Sequence, residues 1–154
     1  MNLVIFLMIL ATAMNGLLSG LNVDTALVKL PARRRIGAVA YATFARGNDL
    51  GNGLVFYPLL GVGAALLTFL ATALAYVERS PMGVVLLLSL ASLLSFLHTF
   101  ATARAAPVML SLKDTPDDEA ILTAKLDRFA RWHAVRATFQ MLTFFVLLWA
   151  LVVS

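Results

Sequence analysis

The stretch that decides the fold is residues 83–106, GVVLLLSLASLLSFLHTFATARAA. It carries no Lys, Arg, Asp or Glu before Arg104. A helix of about 20 mostly apolar residues rises roughly 30 Å, the thickness of bilayer hydrocarbon, so the stretch predicts a membrane-crossing helix. Working outward, three further windows qualify, at 2–21, 53–77 and 133–153, and none has an acidic residue in its middle. The expected fold is all-α: an integral membrane four-helix bundle, one transmembrane domain over residues 1–154 with spans at about 2–21, 53–77, 83–106 and 133–153, and short interfacial helices in the first and third loops.

Composition agrees. Of the 154 residues 61% are hydrophobic and 13% charged, far from the roughly half-apolar make-up of soluble domains. No cysteine is present, which excludes disulfides, thiolate metal sites and cysteine nucleophiles. A net charge of +4 raises the question of nucleic acid. The basic residues sit beside apolar runs, however, so anionic lipid headgroups are the expected counter-charge and no nucleic-acid partner is expected. The first apolar run ends in Ala11-Thr12-Ala13, as a cleaved signal peptide does, but no Lys or Arg precedes it. It reads as a retained signal-anchor helix.

Lys and Arg set the orientation, because loops near the spans keep positive charge on the cytoplasmic side. Lys29, Arg33, Arg34, Arg35 and Arg46 fall between spans one and two; Arg104, Lys113, Lys125, Arg128, Arg131 and Arg136 fall around the junction of spans three and four; only Arg79 lies on the other side. Loops one and three are expected in the cytoplasm of a bacterial inner membrane, with both termini outside.

In the first loop, Asn22 to Asn52, Pro31 is expected to break the chain. Ile36, Val39, Ala40 and Phe44 then recur at helical spacing behind the arginine cluster. This predicts a short helix in the headgroup layer, apolar face down, with Arg33, Arg34 and Arg35 toward lipid phosphates. Gly47 to Gly53 reads as a turn feeding span two and matches no P-loop spacing. In the third loop Thr115-Pro116-Asp117-Asp118-Glu119 predicts a helix start, with Thr115 as cap and Pro116 in the first helical position. From there Leu122, Leu126 and Phe129 form an apolar line while Lys125, Arg128 and Arg131 face away. Unbroken into span four, that helix would be about 55 Å long, so its first half lies in the cytosol or along the interface.

Polar residues inside spans are costly and mark function. Here they collect toward the cytoplasmic half: Asn15 and Ser19 on span one, with Asn22 and Asp24 just beyond it; Asp49, Asn52 and Tyr57 at the start of span two; Ser92, Ser95, His98, Thr99 and Thr102 on span three; Trp132, His133, Arg136, Gln140 and Thr143 on span four. Ser92, Ser95, Thr99 and Thr102 step by three, four and three along one face, and Gly16 and Gly20 form a G-x-x-x-G pair; both read as helix-packing seams. His133, Arg136, Gln140 and Thr143 share a face of span four. Either Trp132 anchors the interface while Arg136 snorkels to phosphates, or Arg136 and His133 turn inward to meet His98, Asp24 or Asp49 in a cavity. The candidate catalytic residues are His98, His133 and Arg136; candidate ligand-binding residues are Asn15, Asn52, Tyr57, Thr102 and Gln140. No metal site and no cofactor are expected. Haem or metal ligation by His98 and His133 is the alternative, but no carboxylate stands at helical metal-ligand spacing from either.

Pro107 after span three, the four-span layout and Arg131-Trp132-His133-Ala134-Val135-Arg136 resemble a bacterial four-span membrane family of unknown function labelled anthrone-oxygenase-like. Its W-x-x-V-R type sequence is matched by Trp132, Val135 and Arg136. An asparagine-histidine pair common in that motif is replaced by His133-Ala134, and the first loop is unusually long and arginine-rich. The resemblance implies cofactor-independent oxygenation of polycyclic anthrones, with His98 or His133 as base and Arg136 stabilising an enolate. Two functions are therefore expected in competition: a membrane protein whose cytoplasmic-side polar cavity binds or oxidises a small apolar, polycyclic or lipid-like ligand, and a non-catalytic accessory or scaffold subunit that packs on other membrane subunits or on a second copy of itself. No internal repeat relates the two halves, which disfavours a transporter.

Overall fold

The computed structural model describes residues 2–154. Six α-helices run α1 Leu3–Asp24, α2 Leu30–Ile36, α3 Ala38–Gly47, α4 Gly53–Val77, α5 Met82–Leu110 and α6 Glu119–Val152, and there is no strand among the described residues. Four helical stretches, containing α1, α4, α5 and α6, are each long and apolar enough to cross a membrane, with mean hydropathies of 2.0, 2.1, 2.1 and 1.7 over their best windows. The chain is an all-α, multi-pass membrane four-helix bundle. α1 packs on α4 and α6, and α5 packs on the same two helices, so α1 stands diagonal to α5 and α4 to α6.

The bundle has two ends of different make. At the end carrying the α4–α5 turn, the core is Met8, Ala11, Ala71, Ala75, Leu88, Ala91, Leu147 and Ala150, all fully buried. Small residues let the helices approach closely there, as lipid-immersed helices require. At the basic end a second core gathers Leu30, Ala38, Tyr41, Ala42 and Ala45 from α2 and α3 against Ala105, Met109, Leu112, Leu122, Leu126 and Phe129. α6 is one unbroken helix of 34 residues, about 51 Å, so roughly 20 Å of it projects past the hydrocarbon, and α2 and α3 wrap that projection.

Several expected boundaries move. The helix expected at Thr115 starts at Glu119, because Asp118 holds the extended dihedrals of a cap (φ −107°, ψ 123°) and its carboxylate accepts from the Ile121 N–H at 2.8 Å. Thr115 instead donates to the Ser111 carbonyl at 2.6 Å and accepts from Lys125 Nζ at 2.7 Å, which also turns Lys125 inward rather than away. Pro107 does not end the third span: α5 runs through it to Leu110. The first loop is not a loop. α1 passes into a π-helical turn at Thr25–Lys29 and then α2, where Pro31 sits in the first turn, a position whose N–H needs no partner. The break comes at Gly37, whose φ of +88° and ψ of 158° suit glycine alone. Of the apolar line expected behind the arginines, Ile36, Ala40 and Phe44 are exposed and Val39 is partly buried, while α3 packs on protein through Ala38, Tyr41, Ala42 and Ala45. The expected turn before span two is present as a kink within Asn48–Asn52, at Gly51, whose φ of −90° and ψ of −119° leave the helix. Gly53 closes it under the Tyr57 ring: a Cβ there would lie 2.7 Å from Tyr57 Cε2 and 2.8 Å from the Asn48 carbonyl oxygen.

Candidate functional site

Three polar groups, which interleave in height, lie between mid-bundle and the basic end. The first joins α1, α4 and α6. Asn15 Nδ2 donates to the Ala11 carbonyl at 2.8 Å and to Thr68 Oγ1 at 3.0 Å, while Gln140 Nε2 donates to Asn15 Oδ1 at 2.7 Å and to the Asn15 carbonyl at 3.2 Å. Asn15 and Gln140 are each 1% exposed; the Gln140 amide spends its donors on Asn15, and the Asn15 amide spends its own on Ala11, Ala64 and Thr68. The two residues expected to bind ligand are brought together, as a cross-brace. The covered donors leave them little to offer a ligand.

The second group belongs to the histidines. His98, buried on α5, has Nδ1 3.1 Å from the Arg136 carbonyl oxygen, so that nitrogen carries the proton; Thr102 Oγ1 lies 3.4 Å from its Nε2 and donates to the His98 carbonyl at 2.9 Å. His133, with no exposed surface, has Nε2 2.9 Å from the Asn22 carbonyl oxygen. A carbonyl only accepts, so His133 is the Nε2–H tautomer and its Nδ1 carries a lone pair. That Nδ1 is buried with no partner. Each histidine thus pins α6 to a neighbour through one ring nitrogen, which for His98 leaves only a nitrogen facing Thr102 and for His133 leaves a free one. Among the described residues no three His, Asp or Glu side chains gather as a metal set.

The third group surrounds Arg136, which lies on α6 between His133 and Gln140. Its Nε is buried without a partner, as is Asn22 Nδ2. The guanidinium lies within Coulombic reach of Asp49 and Tyr57, and Asp49 within reach of Lys29, which pairs with Asp24 at 3.0 Å. The π-helical turn after α1 supplies Lys29, with Asp24 just ahead of it, and the kinked stretch before α4 supplies Asp49. A π-helical turn offsets the register of a helix by one residue and recurs where side chains are aimed at a site. Arg136 is partly buried, and its side chain makes no hydrogen bond or ion pair among the described residues. Tyr57 joins this group, half-buried, whereas Asn52 is exposed at the end of its turn.

Of the expected headgroup arginines, Arg33 is taken by Asp127 at 2.5 Å, while Arg34 and Arg35 are exposed. The hydroxyl stripe of α5 divides as well. Ser92 meets Thr72 Oγ1 at 2.8 Å and Ser95 is buried, but Thr99 is exposed and donates only to its own helix at the Ser95 carbonyl. Of the glycine pair, Gly16 lies under the Phe144 ring, 3.0 Å from where a Cβ would stand, and Gly20 faces open space. Sequence reasoning passed over Thr68 and Thr72, whose spacing of four in span two was the available signal. It also passed over Glu119, whose carboxylate accepts from the Ala38 and Val39 N–H groups at 2.6 and 3.1 Å and so caps α3 from another helix. Nothing local to either segment announces that contact.

No family model, no curated protein and no solved structure matches the chain.

Proposed function

We propose that the chain resides in a bacterial inner membrane with its basic end in the cytoplasm, and that it binds a small apolar ligand, polycyclic or lipid-like, whose polar group is held between His133 and Arg136. One observation carries this reading: a bare acceptor, His133 Nδ1, and a bare donor, Arg136 Nε, lie buried one helical turn apart. Buried polar atoms without partners cost about 1–3 kcal/mol each, and a ligand that is both donor and acceptor relieves both. Asn22 Nδ2 adds a second donor nearby.

The same pair suits the chemistry that the anthrone-oxygenase-like resemblance implies. His133 Nδ1 takes a proton from the ring CH₂ of an anthrone, and Arg136 Nε–H stabilises the resulting enolate oxygen. The carbanion adds to dioxygen, and the hydroperoxide formed loses water to leave the quinone, so one dioxygen yields one quinone oxygen and one water. His133 is the better placed base, because His98 has one ring nitrogen on the Arg136 carbonyl and the other against Thr102.

Anthrone itself is the probe. Reconstituted protein should quench anthrone fluorescence saturably and, if it is an oxygenase, consume oxygen as anthraquinone forms. Arg136→Gln and His133→Phe should each weaken binding at least tenfold with the protein still folded; binding unchanged in both overturns the reading. Orientation is tested separately. The chain has no cysteine, so Lys113→Cys should be labelled only from the cytoplasmic side and Ser154→Cys only from outside. The accessory-subunit alternative rests on the outward row Val55, Leu59, Val62 and Leu66 of α4, each more than half exposed. Purification in mild detergent that yields this chain alone argues against it.

A further inference from the structure

A second site lies on the outer face of the α5–α6 pair. Arg128, Arg131, Trp132 and Val135 follow at i, i+3, i+4 and i+7 on α6, and together they line a surface cleft of about 380 Å³. α5 contributes Arg104, whose guanidinium carbon sits 5.9 Å from the Trp132 ring centroid and 5.4 Å from that of Phe100. All three arginines are exposed, and none pairs with a carboxylate. The other charged contacts of this end are balanced, since Lys29, Arg33 and Arg46 each have an acid. Here three positive charges with no carboxylate partner among the described residues stand beside aromatic surface.

Its depth follows from helix lengths. Counting about 20 residues from the far end of each helix puts the hydrocarbon boundary near residue 101 on α5 and near 133 on α6. Arg104 and Trp132 therefore share one level, that of lipid phosphates, and their contact across the helix pair agrees with it. On the hydrocarbon side, Phe96 and Phe100 of α5 and Val135 of α6 are all exposed. A ligand fitting this surface has an anionic head above and an acyl tail below.

We propose that this face is a specific site for an anionic phospholipid, with the phosphate held by Arg104, Arg128 and Arg131, the Trp132 ring at the glycerol level and a chain laid along Phe100 and Val135. The site is independent of the His133–Arg136 pair, which lies on the buried side of α6. Arginine prefers phosphate because its planar fork donates to two oxygens at once, and basic pockets between helices at the cytoplasmic face hold anionic heads in this way.

Trp132 reports the occupant, once Trp149→Phe removes the only other tryptophan. The full chain is placed in phosphatidylcholine vesicles that carry brominated phosphatidylglycerol or, at equal mole fraction, brominated phosphatidylcholine. Anionic lipid should quench Trp132 with a relative affinity at least about fivefold above the neutral lipid, the effect of roughly one surface arginine. Raised salt should shrink the preference. Arg104→Gln combined with Arg131→Gln should bring it to equality, whereas Arg34→Gln with Arg35→Gln, which removes equal charge from α2, should leave it intact. Equal quenching by the two lipids overturns the proposal, and so does equal loss in both double variants, which would mean bulk charge alone. Relief of quenching by millimolar inorganic phosphate would assign the face to a soluble anion and likewise overturn the lipid site.

Discussion

The two ends of the bundle are held by different forces although both have buried leucine and alanine cores. At the α4–α5 end Leu88 and Leu147 are fully buried among small residues, and beyond them lies lipid. Lipid solvates leucine as well as protein does, so packing alone holds that core. At the basic end Leu122 and Leu126, equally buried, stand on the part of α6 that projects beyond the hydrocarbon, where the alternative solvent is water. The hydrophobic effect therefore acts at one end only. The charged contacts are confined to that same end: Glu119 caps α3, Arg33 pairs with Asp127, and Arg46 reaches Asp117 and the Leu112 and Thr115 carbonyls at 2.7–3.0 Å.

That difference can be broken by measurement, and the largest effect is expected where water competes. Leu122→Ala should cost about 2–5 kcal/mol in steric-trapping unfolding, since it loses both transfer energy and packing. Leu88→Ala should cost roughly half as much or less, because only the packing loss remains in lipid. Equal costs would mean that the basic end is itself immersed. Gly37→Ala comes next. Its positive φ should make the change cost about 1–3 kcal/mol, with the loss seen as faster hydrogen exchange in α3 and none in α4. Gln140→Leu should cost about 1 kcal/mol, the usual scale for a hydrogen bond between membrane helices, and a double-mutant cycle with Asn15→Leu should show the two amides coupled. The smallest effect is expected for Asp127→Asn, under about 1 kcal/mol and fading further with salt, because the carboxylate is more than half exposed.

Legibility in the sequence divides along the same line. The spans are written as uninterrupted apolar length, so their number and the start of the second at Gly53 could be read directly. Where water and lipid meet, the reading failed: Pro31 looked like a break and Gly37 did not, because only a fold that lays α3 against α6 demands the positive φ. Thr115 looked able to cap α6, but Asp118 does so, and Thr115 is instead engaged by Lys125. Among the site residues, Asn15, His98, His133, Arg136 and Gln140 were all visible as polar groups within spans. Their roles were not, since which ring nitrogen or amide proton stays free depends on a carbonyl or side chain from another helix.

By itself, then, the sequence determined that four long apolar helices form and that the charged residues gather at one end, because helix formation and lipid solubility are properties of contiguous residues. Only the tertiary structure decided that Gln140 donates to Asn15 while His133 Nδ1 and Arg136 Nε remain bare. Hydrogen-bond satisfaction belongs to pairs of atoms more than a hundred residues apart, as in the contacts from Asn22 to His133 and from Asn15 to Gln140, and no local pattern encodes which of them will meet.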